Sequence, residues 1–547
     1  MQLDRLYATL KSYNYELLEK SNAPFYIGAN FYDAIDLAIT SNALSLIKGK
    51  FQTNHYSITN ALNLRNLIEC FTLLSMDEKG DITDVQKELF VEQYKIIEYE
   101  SYAKGDSDKY ESLLDKKDLK FRYESGKAKF LEVLGDEKKL KKIVNSRLPF
   151  LCDEKLNFNI LIKNYCPEYL DHYINLSRMV HPSSYHAFRN IELYNRVYWI
   201  IMRLVIDRYK DMTAKPDILT YSEEQIEIYK PQIQSKGNYS QRMYDIQKGQ
   251  WQILKKIAEE FKKVDGEDCY VKDFINELTM VIHDVNTDSH LGYTENVKLK
   301  FKVIAEMFAC FYRIYVPNED CCEYLCTMQF WHDVIKDKEH CGKILEELKV
   351  IVQQNEQNKN MEKLREIIKE GEQSNFIISD EERDAVYQCY LKHYPSSKLT
   401  GSKFFKEFDK PLGFLVDGEG NTPNYVQIVD EYFEKLFGNA SLPDKEVKVK
   451  DFFKLVYKES NNMSHGCGYL FFTNIGAWMD EKPVIQFLDS SILYFLNYLF
   501  LITAKDSLKH VEVANIALLL RESSEEMRSL INTKTEILKK KSIEKKY

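Results

Sequence analysis

The stretch Tyr-Ile-Asn-Leu-Ser-Arg-Met-Val-His-Pro-Ser-Ser-Tyr-His-Ala-Phe-Arg-Asn-Ile, Tyr173 to Ile191, returns later in the chain as Tyr-Lys-Glu-Ser-Asn-Asn-Met-Ser-His-Gly-Cys-Gly-Tyr-Leu-Phe-Phe-Thr-Asn-Ile, Tyr457 to Ile475. One gapless offset of 284 carries Tyr173 to Tyr457, Met179 to Met463, His181 to His465, Tyr185 to Tyr469, Phe188 to Phe472 and Asn190 to Asn474, and sets Tyr194 opposite Trp478. His, Met and Asn are not common residues, so coincidence is a poor explanation. An internal repeat decides the fold, because each copy is a structural unit of its own. Upstream, Ile68-Glu69-Cys70-Phe71 matches Phe308-Ala309-Cys310-Phe311 at an offset of 240. The difference of 44 between the two offsets requires an insertion in the second copy. The polar run Gln353 to Asn360, continuing to about Gln373, is its candidate.

Outward from these landmarks the pattern is helical. Leu3, Leu6, Tyr7 and Leu10, then Phe31, Ile35 and Ala38, then Ile58, Leu62, Leu67, Ile68 and Phe71 recur at three- and four-residue steps, as amphipathic helices require. Further helices are predicted at Tyr185 to Tyr209, Val303 to Val316, Ile344 to Glu370, Tyr425 to Phe437, Val484 to Lys505 and Val511 to Leu538. Strand-like alternation is almost absent. The expected fold is all-α, two related helical bundles from an internal duplication joined by a helical connector. The expected division is 1–210 for the first bundle and 211–265 for the connector. A second, degenerate bundle follows at 266–510, with its polar insertion near 343–375, and a charged C-terminal helix at 511–547.

Length and composition agree with this. At 547 residues the chain exceeds one hydrophobic core. Only 20 Gly and 12 Pro disfavour turn-rich sandwiches, barrels and Rossmann-like folds. A net charge of −9 gives no global nucleic-acid signature, so any such contact needs a local basic patch. The N-terminus lacks an apolar signal core, no 18-residue apolar run occurs, and Ser491 to Thr503 reads as a buried helix. Eleven irregularly spaced Cys point to reduced thiols of a cytoplasmic protein, with no membrane partner.

Two sets of polar residues carry the chemistry. His181, just before Pro182, and His465, just before Gly466, are placed at helix C-terminal ends, where the macrodipole favours an imidazolium. Grouped with His181 are Tyr173, Ser177, Arg178 and Asn190; grouped with His465 are Tyr457, Ser460, Asn462 and Asn474. Each group reads either as a polar site or as a His that caps its helix and fixes the following turn. Arg65 and Glu69, four residues apart on an apolar helix, read either as functional charges or as a helix ion pair.

Arg65, Asn66 and Glu69 followed by Tyr173, Ser177, His181 and Pro182 (Tyr-x3-Ser-x3-His-Pro) resemble a HEPN-like bacterial family, all-α domains found in toxins and phage-defence proteins. The resemblance covers roughly residues 25–210, and the second copy matches weakly. It implies a two-fold arrangement of bundles fused into one chain, and metal-independent cleavage of RNA with no cofactor. His181 would act as general acid/base, Arg178 or Arg65 would hold the phosphate, and Glu69 would complete the set. The family's ribonucleases share Arg-x4–6-His, whereas Arg178 precedes His181 by only three residues. In the second copy Arg65, Glu69 and Arg178 become Ala305, Ala309 and Asn462, so any activity belongs to the first. The alternative is a non-catalytic helical sensor or scaffold in which the His/Asn motifs are structural. RNA, a protein of a defence or toxin–antitoxin system and a second copy of the chain are the partners this reading admits.

Cys321, Cys322, Cys326, His332, His340 and Cys341 are dense in zinc-ligand types. They hold no Cys-x2-Cys pair, and Cys322, Cys326 and Phe330 fall on one helix stripe, so no metal is expected. No phosphate loop, dinucleotide fingerprint or nucleophile elbow occurs. Glu137-Lys-Lys-Leu-Lys-Lys142, with Arg147, is a basic run able to meet phosphates or simply to face solvent.

Overall fold

The apolar spacing of the first eighty residues folds as three successive helices, α1 (Leu3–Asn22), α2 (Phe31–Thr53) and α3 (Ile58–Glu78). Each packs on the next. The computed structural model describes residues 3–22, 30–53, 57–102, 116–144, 146, 148–181, 191–214, 237–261, 269–291, 294–315, 319–354, 365–366, 368–369, 372, 378–441, 448–464, 482–505, 518–523, 525–526 and 529. Among these every regular element is helical, and the one β feature is an isolated bridge, Ser441–Lys448. The protein is all-α.

The helices continue as α4 (Asp84–Tyr102), α5 (Lys116–Leu134), α6 (Glu137–Ile143), α7 (Phe158–Tyr165), α8 (Leu170–Met179) and α9 (Ile191–Ala214). Then come α10 (Gly237–Phe261), α11 (Cys269–Leu291), α12 (Thr294–Tyr315), α13 (Glu319–Gln354), α14 (Asp380–His393), α15 (Gly401–Phe408), α16 (Tyr425–Phe437), α17 (Val449–Met463) and α18 (Lys482–Lys505). The order echoes the sequence landmarks. Shifted by 240, α1, α2 and α3 fall on α10, α11 and α12; shifted by 284, α8 falls on α17 and α9 on α18. The two motif helices end at the matched residue: α8 at Met179 with Val180 as its cap, α17 at Met463 with Ser464 as its cap.

By contacts the chain forms two compact units. One holds Met1–His181, Phe188–Ala305 and Phe433–Tyr547; the other holds Pro182–Ala187 and Glu306–Tyr432. In the first, α3 lies at the centre and receives α2, α7, α8 and α9, while α11 packs on α10 and touches both α2 and α3. From Ala34 to Ile47 and from Ser57 to Cys70 every residue is buried. A helix buried on all faces is normally apolar all round. These two carry Thr40, Asn42, Ser45, Asn60, Asn63, Arg65, Asn66 and Glu69 in that buried stretch; most of these side chains are partnered inside the protein, whereas both polar atoms of the Asn66 side chain and Arg65 Nε have no hydrogen-bond partner among the described residues.

The second unit is built on α13 and α14. Ser379 and Glu382 form a reciprocal capping box at the start of α14: the Ser379 hydroxyl accepts from the Glu382 N–H at 3.1 Å and the Glu382 carboxylate from the Ser379 N–H at 3.0 Å. Tyr324 stacks on His393 with ring centroids 3.9 Å apart. Gly413 lies so close to the turn after α15 that a Cβ there would stand 1.9 Å from the Phe408 carbonyl oxygen, which only glycine avoids.

No helix among the described residues is long and apolar enough to cross a membrane. Val511 to Leu538 lies largely outside the described residues.

Candidate functional site

Arg65 and Glu69 are one turn apart on α3 and face inward, 3% and 0% exposed. Their charged groups stand 3.8 Å apart. The Tyr173 hydroxyl, from α8, donates to Glu69 Oε1 at 2.8 Å. On the other side Arg65 Nη2 donates to the backbone carbonyl of Ser464. Ser464 is the C-terminal cap of α17, whose last carbonyls have no partner within their own helix and carry the negative end of its dipole. A guanidinium is matched to that position both as a donor and as a charge. The result is a buried chain, Ser464 carbonyl to Arg65 to Glu69 to Tyr173, linking α17, α3 and α8. Nearby, the Ser460 hydroxyl of α17 donates to the Leu299 carbonyl at 3.0 Å and accepts from the Lys302 N–H at 2.7 Å, fastening α17 to α12.

Of the other sequence candidates, Ser177 and Arg178 are half-buried on the last turn of α8. His181 stands just beyond it, half-buried, its N–H donating to the Arg178 carbonyl at 3.2 Å. Asn190, His465 and Asn474 lie outside the described residues, as does the side chain of Asn462. Arg65, Glu69 and Tyr173 are therefore brought together, and the sequence neighbour of His465 is held by Arg65. Tyr457 is buried on α17, in edge-to-face contact with Phe433 at 6.5 Å.

A second polar cluster lies where α2 and α3 meet α11 and α12. Lys300 Nζ is 2.7 Å from Asp284 Oδ2 and 2.6 Å from Asp288 Oδ2 and donates to the Ser45 hydroxyl at 3.2 Å. The Ser45 hydroxyl in turn reaches Asp288 at 3.1 Å. Ser57 donates to Asp284 at 2.8 Å, and Thr59 donates to the same oxygen. Ser57 is the N-terminal cap of α3, yet its side chain caps nothing; the Ile58 N–H donates instead to Glu277 Oε1. Asn296 donates to the Ser41 carbonyl at 3.1 Å, and Asn63 to Asn42 at 2.8 Å.

Burial governs the proton affinities here. Desolvation pushes Glu277 up to about 8, helped by the neighbouring Asp284 and opposed by the Ile58 N–H. Burial also raises Asp288, against the pull of Lys300. Burial works to lower Lys300, but Asp284 and Asp288 outweigh it and hold the ammonium above its usual range. At neutral pH the cluster is thus a protonated Glu277 beside a Lys300 shared by two aspartates.

The sequence reading missed this cluster, although a signal was present. Glu277, Asp284 and Asp288 are spaced by seven and four residues, which at 100° per residue places all three within about 20° of one line along the helix. Three acids in one stripe among Phe274, Leu278, Val281, Ile282 and Val285 require cationic or donor partners elsewhere in the chain.

In the Cys/His segment, Cys326 is half-buried and His332 Nε2 lies 2.9 Å from the Lys410 carbonyl, its ring against Phe408 at 5.3 Å. The side chains of Cys321, Cys322, His340 and Cys341 lie outside the described residues. Among the described residues no group of three or more His, Cys, Asp or Glu is placed to hold a metal ion.

No family model, curated protein or solved structure matches the chain.

Proposed function

We propose that this chain is a non-catalytic helical sensor or scaffold of HEPN-like, defence-associated type, made of two repeated halves that complete one another. The observation that carries the reading is the use made of Arg65 and Glu69. A residue that stabilises a scissile phosphate must present its charge to substrate. Here the guanidinium is 3% exposed and is committed to a backbone carbonyl and to Glu69, which is itself fully buried and bonded to Tyr173. That is the geometry of a brace. The matched helix order and the matched ends of α8 and α17 support the repeat, and the cross-bonds between α2–α3 and α11–α12 support a fused pseudo-dimer.

The ribonuclease reading is favoured by one feature, the half-exposed pair Arg178 and His181 at the end of α8. Incubating the purified chain with structured and single-stranded RNA in the presence of a chelator separates the two. The scaffold reading expects no cleavage above buffer, and a His181→Ala protein indistinguishable from wild type. Chelator-resistant cleavage that disappears in a folded His181→Ala protein refutes it.

A further inference from the structure

The chain is acidic, yet residues 116–163 hold 13 Lys and Arg against seven Asp and Glu, in a protein whose net charge is −9. This excess sits on α5 and α6. The chain reverses at Gly135, which adopts φ 66°, and α6 packs back on α5. Asp136 caps α6 by accepting from the Lys138 N–H at 2.9 Å, and Lys127 of α5 meets Glu137 at 2.8 Å. Leu140 and Ile143 turn inward. Lys138, Lys139, Lys141 and Lys142 are all exposed. Lys142 is shared with Glu154 at 3.8 Å. Among the described residues Lys120, Lys138 and Lys139 have no carboxylate within ion-pair distance. On the same helix as Lys120 and next to it, Phe121 is 75% exposed, more than any other large apolar side chain among the described residues.

We propose that the outer face of α5 and α6 binds single-stranded nucleic acid, with the α6 lysines on phosphates and Phe121 stacking on a base. A basic run by itself is usually a solvated helix face. Three features together separate this one from that reading: the reversal of charge against the rest of the chain, unpaired lysines on a capped and packed helix, and, on the helix it packs against, an exposed ring next to a further unpaired lysine, Lys120. Spaced cations with an aromatic face are what a single strand requires, since every base has a π-face and duplexes hide theirs. A lipid surface requires a continuous apolar face. Among the described residues the exposed large apolar side chains of α5 are Phe121 and Val133, twelve positions and about 18 Å apart along the helix, with Glu124, Ser125, Lys129 and Glu132 exposed between them. The surface is separate from the buried Arg65 brace, and binding is read without turnover, so it stands whether or not the scaffold reading does.

The test is fluorescence anisotropy of labelled 20-nucleotide oligouridylate and oligodeoxythymidylate with the full chain, across about 50 to 200 mM salt. The comparison proteins are Lys138→Glu/Lys139→Glu and Phe121→Ala, both altered at exposed positions, with circular dichroism as the check on folding. The charge-reversed protein is expected to bind about tenfold or more weaker, with a log–log salt slope shallower by about 1.4, two phosphate contacts at about 0.7 each. Phe121→Ala is expected to bind about 5- to 150-fold weaker with an unchanged slope. Absence of salt-dependent binding at the lowest salt overturns the proposal, as does wild-type affinity in both variants. So does preferential capture by phosphatidylserine vesicles that Phe121→Ala abolishes, which would make the face a membrane-docking surface.

Discussion

Replacing Glu277 by Gln should remove a specific pH dependence of stability. In the folded protein burial keeps this carboxyl protonated up to about pH 8, whereas its ordinary value is 4.5. Between those values the unfolded chain has released the proton and the folded chain has not. The unfolded state therefore binds fewer protons, and stability falls as pH rises through the window, levelling above the folded value. From about pH 6.5 to 8 the loss is 1.5 pH units at 1.36 kcal/mol each, about 2 kcal/mol. Gln keeps an oxygen to accept from the Ile58 N–H and cannot ionise, so the variant should lack this loss. Asp284, Asp288, Lys300 and His283, like the other titratable groups of α11 and α12, are present in both proteins and cancel in the difference. Urea unfolding followed by circular dichroism at several pH values measures it. Wild type should weaken relative to Glu277→Gln by about 2 kcal/mol between about pH 6.5 and 8, with parallel behaviour above. Profiles that stay parallel throughout would mean that Glu277 does not hold its proton in the fold, and the account of the cluster fails.

Arg65→Met leaves the Glu69 carboxylate buried without its cation and uncaps α17, so it should cost about 3–5 kcal/mol; adding Glu69→Leu should restore much of that in a double-mutant cycle read by urea unfolding. Gly413→Ala forces a methyl group against the Phe408 carbonyl and should lower stability by about 3 kcal/mol, seen calorimetrically as a lower melting temperature. Ser379→Ala removes half of a capping box and should cost about 1 kcal/mol, with hydrogen exchange accelerating in the first turn of α14.

The helices were legible because periodicity is local. Tyr425 to Phe437 is the span of α16, and Val484 to Lys505 differs from α18 by two residues at its start. For the same reason it was legible that His181 follows a helix end. The Arg65–Glu69 pair was visible as an i,i+4 spacing, but whether it faced solvent or core was not, because that depends on residue 464. The acidic stripe of α11 faces Ser45, Ser57, Ile58 and Thr59, all more than two hundred positions earlier in the chain. Nothing in either stretch by itself names the other.

The bonds that tie α3 to residues far along the chain have a consequence during synthesis. The N–H of Ile58 waits for a carboxylate 219 residues later, and Arg65 for a carbonyl 399 residues later. At a translation rate of about 5–20 residues per second, those delays are roughly 10–45 s and 20–80 s. Until residues 277, 284 and 296 have been made, the Ile58 N–H, Thr59 and Asn63 lack these later partners, and Arg65 lacks its own until residue 464. A chain released from a ribosome stalled before residue 277 therefore keeps the packing of α3 on α2, α7, α8 and α9 but lacks every one of these later partners.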